Sequence, residues 1–240
     1  MTRLFISDTH LHESRPAVTE GFFRFLQDRA AGAEVLYILG DFFDAWIGDD
    51  EDSDLSREVI ARVRRLADSG TRIYLMHGNR DFLIGERFTR ALGAELLSDP
   101  SMINLYGCPT LLMHGDSLCT RDQEYMAFRR KVRSAHWQAE VLALPLDERR
   151  ELARQLRTQS RGMNSNKAQD IMDVTPDEVS RMMRSQGAKL LIHGHTHRPA
   201  RHPVLLNGEY GERIVLGDWH DRGWCLRAEP EGLQLESWEL

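Results

Sequence analysis

Six short apolar runs, rich in Ile, Leu, Val and Tyr, recur along the chain, and each is too short to form a buried helix. They are Leu4–Ser7, Val35–Leu39, Ile73–Met76, Thr110–Met113, Lys189–Ile192 and Arg213–Leu216. Short continuous apolar runs of this kind are typical of strands that are buried on both faces. We therefore predict six buried strands.

Helix-like stretches lie between the early runs, at roughly Val18–Ala30, Ser53–Ser69 and Glu86–Leu92. Ser53 and Asp54 are suitable residues to cap the second helix at its N-terminus. Glycines suited to end the helices are Gly32, Gly70 and Gly93. The alternation of strands and helices predicts an α/β fold.

The interval of about residues 122–170 breaks this alternation, because it contains no strand-like run. Its apolar side chains recur at roughly helical spacing, at Phe128, Val132, Leu142, Leu152 and Leu156. Residues 121–170 hold 11 Lys/Arg and 7 Asp/Glu, a net charge of +4. Because the whole chain has a net charge of −6, the remaining residues together carry a net charge of −10. We predict one domain, residues 1–240, with a helical insertion here. A solvated helical hairpin without a role fits equally well.

The composition is that of an ordinary globular protein, with 41% hydrophobic and 28% charged residues. The net charge of −6 argues against a general nucleic-acid binder. Three cysteines without CxxC spacing favour a reducing compartment. Neither a signal peptide nor a membrane-spanning run is apparent, so we expect a cytoplasmic protein or one attached to a membrane only at its surface.

Residues of the types that bind metals stand immediately after five of the six predicted strands. In chain order they are Asp8 and His10, Asp41, Asn79, His114, and His195 with His197. Ligands of open α/β sheets bind beyond the carboxyl ends of the strands, and nitrogen and oxygen donors suit Mn, Fe or Zn. Each element alone has an ordinary explanation as a turn, a cap or a structural histidine. Their joint occurrence at strand ends predicts a metal site.

Two divalent ions about 3.5–4 Å apart repel each other unless they share an anion. A carboxylate at a strand end, such as that of Asp41, is suited to bridge them. Glycines stand beside Asp41, Asn79 and His195, where they let the backbone turn sharply and approach the metals.

The ordered series Asp-x-His, Gly-Asp, Gly-Asn, a lone His and Gly-His-x-His resembles the calcineurin-like metallophosphoesterase superfamily. The resemblance spans the chain from Asp8 to His197 and implies a β-sandwich flanked by helices. It also implies two divalent metal ions, with Mn²⁺ the expected ion. One would be held by Asp8, His10, Asp41 and His197, and the other by Asp41, Asn79, His114 and His195.

Arg80 stands where many members of the superfamily have a histidine that is thought to assist the leaving group. Loss of an acid matters less when the leaving group is a phosphate, whose second pKa is about 6. An arginine instead binds phosphate oxygens through paired hydrogen bonds. Arg80 therefore favours a pyrophosphate substrate, and a surface salt bridge to Asp81 is the alternative.

Four stretches are similar to the family of UDP-2,3-diacylglucosamine pyrophosphohydrolases of lipid A biosynthesis: Phe43–Asp50, His77–Gly85, Leu112–Asp122 and Leu216–Trp219. The resemblance implies that a hydroxide bridging the metals attacks the nucleotide-side phosphorus and releases UMP and 2,3-diacylglucosamine 1-phosphate. It implies catalytic roles for Asp41, Asn79, Arg80 and His195. The same comparison implies substrate contacts for Asn79, Arg80, Asp122, Ser160, Asn164, Lys167 and His195.

In that family the insertion covers the acyl chains, so Trp46, Phe82 and Phe128 are candidate wall residues of an apolar groove. Arg149, Arg150, Arg154 and Arg157 are candidates to meet anionic phosphates at the inner membrane. A solvated basic helix face explains these arginines equally well. We expect a nucleotide-linked glycolipid substrate, peripheral association with the cytoplasmic face of the inner membrane, no nucleic acid and no obligate protein partner.

Two other classes of function compete with this interpretation. One is a different hydrolase on the same scaffold: a dinucleoside polyphosphate hydrolase, a protein phosphatase or a nuclease. Arg80 and the helical insertion argue against the last two. The other is a non-catalytic interaction module resembling the retromer subunit of this fold, but such a module has degraded metal ligands, whereas this chain has all seven.

Overall fold

The computed structural model describes residues 1–164 and 173–240, and the side chains of residues 1–158 and 173–240. The strands are β1 (Arg3–Ile6), β2 (Val35–Leu39), β3 (Arg72–Met76), β4 (Ala94–Leu97), β5 (Ser101–Leu105), β6 (Cys108–Leu112), β7 (Leu190–His193), β8 (Ala200–Leu206), β9 (Glu209–Val215), β10 (Arg222–Glu229) and β11 (Gly232–Glu239). The helices are α1 (Pro16–Asp28), α2 (Asp54–Asp68), α3 (Glu86–Leu92), α4 (Gln123–Val132), α5 (Ala135–Leu142), α6 (Leu146–Asn164) and α7 (Pro176–Gln186).

Two mixed sheets form a sandwich. The first has the strand order β11-β10-β1-β2-β3-β4, and the second has the order β5-β6-β7-β9-β8. Strands β1 to β4 run parallel to one another, as do β6, β7 and β9. The carboxyl ends of neighbouring parallel strands therefore lie at one edge of each sheet.

The alternation of side chains along the buried strands divides the core into layers. Leu4 and Ile6 of β1 pack with helical residues such as Phe22 and Val63, on the outer face of the first sheet. Phe5 points the other way, into the cluster between the two sheets. A third cluster joins the outer face of the second sheet to α7. This layering explains why the central strands are apolar on both faces.

The six predicted strands are all present, with end shifts of up to four residues. Five strands were missed: β4, β5, β8, β10 and β11. Four of these are the edges of the two sheets. Edge strands such as β5 are covered on one face only, and their half-exposed pattern is a weaker signal than a continuous apolar run.

The helices of the first half agree with prediction, since α3 has the predicted bounds and α1 and α2 differ by at most two residues at each end. Ser53 caps α2, with its hydroxyl accepting a hydrogen bond from Ser56 N. Helix α7 was not predicted. The predicted α/β sandwich flanked by helices is confirmed.

Three helices, α4, α5 and α6, occupy the described part of the interval 122–170. The division of the chain into one domain with an insertion stays a prediction. Leu142 was expected on the apolar face of the insertion but is 43% exposed, because it lies at the end of α5. Within the described ranges, we find no helix with the length and apolar character needed to cross a bilayer.

Candidate metal centre

All seven predicted metal ligands lie just beyond strand ends. Asp8 and His10 follow β1, Asp41 follows β2 and Asn79 follows β3, all in the first sheet. His114 follows β6 in the second sheet, and the last two ligands, His195 and His197, follow β7 there. The sandwich brings the two sets of strand ends together.

The backbone at this edge adopts an uncommon conformation. Five of the seven non-glycine residues with positive φ in the described ranges are predicted ligands: Asp8, His10, Asp41, His195 and His197. Non-glycine residues in the left-handed region cost about 1–3 kcal/mol each and persist only where the surrounding structure fixes them. A concentration of such residues at one place is typical of functional sites.

Glycines allow two of these turns to pack against the ligands. A Cβ added to Gly78 would lie 2.1 Å from the backbone nitrogen of Asp41. A Cβ added to Gly194 would lie 2.1 Å from Asp8 Oδ2. Neither position can hold a larger residue without displacing a ligand, which agrees with the role predicted for these glycines.

Asp8, His10 and His197 form one group of ligand atoms. Each presents one atom within 4.8 Å of the others. His10 Nε2 lies 3.2 Å from His197 Nε2, and His197 Nε2 lies 3.4 Å from Asp8 Oδ1. Three of the four residues predicted for the first metal are therefore close together.

Asn79 Oδ1 is the centre of a second group. It lies 2.9 Å from His114 Nε2 and 2.7 Å from His195 Nδ1. Asp41 lies between the two groups, with Oδ1 at 3.7 Å from His114 Nε2 and Oδ2 at 3.8 Å from His10 Nδ1. A bridging role for Asp41 fits this position.

Hydrogen bonds orient several of these side chains. Asp8 Oδ2 accepts from the Ser7 hydroxyl at 2.6 Å and from the His195 backbone nitrogen at 2.9 Å, so Oδ1 faces the cluster. His114 Nδ1 lies 2.9 Å from the carbonyl oxygen of Leu39. Because a carbonyl only accepts, Nδ1 carries the proton in the neutral imidazole and Nε2 is left for another partner.

The cluster fits a divalent cation. Asp8 Oδ1 and His10 Nδ1 are buried and have no hydrogen-bond partner among the described residues. Burial disfavours a charged His114, but the carboxylates of Asp41, Asp8 and Asp116 outweigh it and raise its pKa to about 9. Burial and the neighbouring His114 lower the pKa of His195 to about 3, so this ligand is neutral at pH 7. These carboxylates favour added positive charge, and the nitrogen and oxygen donors suit a transition metal.

Arg80 faces the cluster rather than Asp81. Its backbone nitrogen donates to Asp41 Oδ1 at 2.9 Å, and its Nε lies 3.4 Å from Asp41 Oδ2. Its Nη1 donates to Asp44 Oδ1 at 2.7 Å. Asp81 is fully buried and accepts from the backbone nitrogens of Phe42 and Gly78. The alternative of a surface Arg80–Asp81 pair was therefore wrong.

A cavity of about 450 Å³ opens from the cluster into the space beneath α4, α5 and α6, the helices of the predicted insertion. Its polar end includes Asn79, Arg80 and His195. Its lining also includes a set of apolar side chains: Trp46, Ile47, Phe82, Leu83, Phe128, Trp137, Val141, Leu152 and Leu156. The three predicted wall residues, Trp46, Phe82 and Phe128, are all among them.

The four arginines singled out in α6 do not form one basic face. Arg149 is 4% exposed and donates to Asp50 Oδ1 and to the Ile47 carbonyl. Arg157 lines the cavity, whereas Arg150 and Arg154 lie outside on the helix and pair with nearby acids. A solvated face thus describes only two of the four.

The predicted substrate contacts are only partly described. Asp122 lines the cavity and caps α4, where its Oδ1 accepts from Tyr125 N at 3.0 Å. The side chains of Ser160 and Asn164, and all of Lys167, lie outside the described residues.

Several residues at the site were not predicted. Asp44 contacts both Arg80 and Arg157, and it lies in the stretch Phe43–Asp50, of which only Trp46 had been given a role. Asp218, in the Leu216–Trp219 stretch, lies 3.5 Å from His197 Nδ1. Tyr125 lines the cavity and donates to Asp116 Oδ2 at 2.8 Å, and nothing in the sequence pattern points to it.

Residues 1–199 match the sequence profile of the calcineurin-like phosphoesterases. The chain belongs to this family. It is 57% identical to a UDP-2,3-diacylglucosamine hydrolase of Cellvibrio japonicus, over 100% of both chains. It is 56% identical to proteins of the same name from Pseudomonas aeruginosa strain UCBPP-PA14, over 97% of both chains, and from Chromohalobacter salexigens, over 96% of this chain and 94% of the relative.

These relatives confirm the predicted resemblance and the prediction that this phosphoesterase is an enzyme, a hydrolase. The solved structure of an archaeal phosphodiesterase is similar over 100% of both chains, with a TM-score of 0.51 and 13% identity. That likeness concerns the fold alone.

Proposed function

We propose that this phosphoesterase hydrolyses the pyrophosphate bond of UDP-2,3-diacylglucosamine and releases UMP and 2,3-diacylglucosamine 1-phosphate. The observation that carries the proposal is the cavity that joins the metal-ligand cluster and Arg80 to an apolar space beneath the insertion. A substrate with a diphosphate at one end and acyl chains at the other matches this change of polarity. The names of the relatives support the same substrate.

Asp8, His10, Asp41 and His197 would hold one divalent ion, and Asp41, Asn79, His114 and His195 the other. When bound, such ions lower the pKa of water and supply a nucleophile near neutral pH. We propose Mn²⁺ as the native ion on the strength of the family resemblance, and the mixed imidazole and carboxylate donors are compatible with it.

The protein's own residues would orient the diphosphate. Arg80, Asn79 and His195 meet at the polar end of the cavity, where they would bind the equatorial oxygens of the nucleotide-side phosphate. In-line attack at that phosphorus makes the lipid 1-phosphate the leaving group, directed toward the cavity. No general acid is then required, because a phosphate leaves without protonation.

The insertion would bind the lipid. Trp46, Phe82 and Phe128 offer apolar surface to the acyl chains and exclude water from the diphosphate. Asp122 lines the same cavity. We keep Ser160, Asn164 and Lys167 as further substrate contacts on the strength of the family resemblance.

We also propose that the chain works at the cytoplasmic face of the inner membrane, since a two-chain substrate resides in a bilayer. Exposed Arg130 and Lys131 on α4 are available to anionic headgroups. No nucleic acid and no obligate protein partner enter this proposal. Flotation with vesicles containing anionic lipid, against vesicles of neutral lipid, tests the membrane association.

The test of the proposed function is turnover of UDP-2,3-diacylglucosamine with added Mn²⁺, repeated after chelation and again after Mn²⁺ is restored. UMP release that stops with the chelator and returns with Mn²⁺ supports both the metal centre and the substrate. Cleavage of a chromogenic phosphodiester alone would leave a phosphoesterase but refute the glycolipid substrate. Inactivity of the metal-loaded protein on both substrates would favour a binding module.

A further inference from the structure

Asp44 lies where the core, the insertion and the metal-ligand cluster meet. Its side chain is 14% exposed and lines the cavity. Its Oδ1 accepts from Arg80 Nη1 at 2.7 Å, while its Oδ2 contacts Arg157 Nη1. The same Arg157 nitrogen donates to the Asp44 backbone carbonyl at 2.6 Å. One carboxylate therefore holds an arginine of the core and an arginine of α6.

Two guanidinium groups that converge on one point repel each other and need an anion between them. Burial opposes the charge on Asp44, but its hydrogen bond and attraction to Arg157, together with Arg80, lower its pKa and keep it ionised. Arg80 is fixed further by Asp41, whose Oδ2 lies 3.4 Å from Arg80 Nε. The arginine pair thus has a defined orientation before any phosphate binds.

Attachment of the insertion does not by itself require Asp44. Asp50, from the same segment Phe43–Asp50, binds Arg149 of the same helix. Arg133, which directly follows α4, also donates to the Gly78 carbonyl at 2.7 Å. Asp50 contacts no residue of the metal-ligand cluster in the described ranges, whereas Asp44 contacts Arg80 directly. The difference separates a structural attachment from an orienting contact.

We propose that Asp44 is a positioning residue that holds Arg80 and Arg157 side by side, so that core and insertion bind the two phosphates of the substrate together. This inference rests on the proposed function, because a diphosphate is the ligand that two adjacent arginines would share. Asp44 acts through the arginines and does not touch the reacting atoms.

The first measurement compares Asp44→Asn with the matched control Asp50→Asn, both close to isosteric with the wild type. Asp44→Asn is expected to lower kcat on UDP-2,3-diacylglucosamine by roughly 10- to 100-fold, the cost of a misplaced orienting group, with a smaller change in KM. Its bound metal should equal that of the wild type. Asp50→Asn should keep kcat within about threefold. Equal losses in both variants, or loss of metal from Asp44→Asn alone, would overturn the proposal.

A double-mutant cycle with Arg157→Gln gives the second measurement. If Asp44 acts through both arginines, its replacement costs less once Arg157 is absent, because only the contact with Arg80 remains to be lost, so the combined loss is less than multiplicative. Fully multiplicative losses would contradict the proposal.

A spectroscopic measurement does not depend on turnover. The ¹⁵N relaxation of the Arg80 and Arg157 guanidinium groups should report rigid side chains in the wild type and mobile ones in Asp44→Asn. Rigid arginines in the variant would refute the positioning role even if the wild type cleaved its substrate. Mobile arginines in the variant would support it even if the proposed substrate proved wrong.

Discussion

The metal-ligand cluster and the contact between the segment Phe43–Asp50 and helix α6, called the joint below, both bring charged side chains close together, but they satisfy these charges differently. In the cluster, Asp8 Oδ1 and His10 Nδ1 lack hydrogen-bond partners within the described part of the chain. At the joint, Asp44 and Asp50 each accept hydrogen bonds from arginines of α6. Unsatisfied buried donors and acceptors cost stability unless a ligand completes them. The cluster is therefore built to receive cations, whereas the joint is complete within the protein.

Asp41 lies at the centre of the cluster, so its replacement by Ala has the largest expected effect on metal binding and on kcat. We expect at least one metal to be lost and kcat to fall by about 1000-fold or more. Metal content by mass spectrometry and turnover measure the two effects. Asp52, which is 74% exposed and pairs with Arg57, provides the control Asp52→Ala. A fully active Asp41→Ala variant that retained both metals would contradict the proposal that this cluster is the catalytic metal site.

Replacement of Arg149 by Met tests the joint without touching the cluster. The change keeps the aliphatic stem but leaves the buried Ile47 carbonyl without its donor, at a cost of roughly 1–3 kcal/mol. We expect faster hydrogen exchange in α5 and the start of α6, a higher KM and unchanged metal content. Arg154→Met on the same helix is the matched control, since Arg154 is 73% exposed. Identical exchange in the two variants would show that Arg149 does not hold the insertion.

Replacement of Asp99 offers a smaller, pH-dependent effect on stability; Arg129 Nη2 lies 3.8 Å from Asp99 Oδ2. Burial, with help from Asp116, raises the pKa of Asp99 to about 6, so the folded state binds its proton more tightly than the unfolded state. This contribution to stability is present at low pH and is lost as the pH rises through about 6. As the pH rises from about 4 to about 7, the free energy of unfolding of Asp99→Asn should therefore increase relative to that of the wild type by roughly 2 kcal/mol. Urea unfolding in chelator at both pH values measures the difference, and a pH-independent difference would contradict it.

The cluster was predictable because each ligand directly follows a buried strand, and parallel strands bring their carboxyl ends to one edge. The sequence does not reveal the positive φ at Asp8, Asp41 and His195, since surrounding contacts fix these conformations. The edge strands were missed for a related reason. Their burial depends on one neighbouring face, so their apolar pattern is weak.

The joint was not predictable in the same way. Arg149 and Arg150 are adjacent and chemically identical, yet only Arg149 is buried. Its partner Asp50 lies 99 residues away, and Arg157 contacts Asp44 across 113 residues. Helical periodicity places residues on a face but does not identify which distant acid that face meets. The sequence alone singles out the stretch Phe43–Asp50 as distinctive, but it does not reveal that Asp44 and Asp50 contact α6.

The proposed roles of the cluster and of the cavity beside it are tested most directly by hydrolysis in H₂¹⁸O. If the cluster supplies the nucleophile to the nucleotide-side phosphorus while the cavity holds the lipid phosphate, a single ¹⁸O enters UMP and none enters 2,3-diacylglucosamine 1-phosphate. Mass spectrometry of both products from one turnover decides the outcome. Label in the glucosamine phosphate would place the attack at the lipid-side phosphorus and contradict the proposed orientation of the substrate.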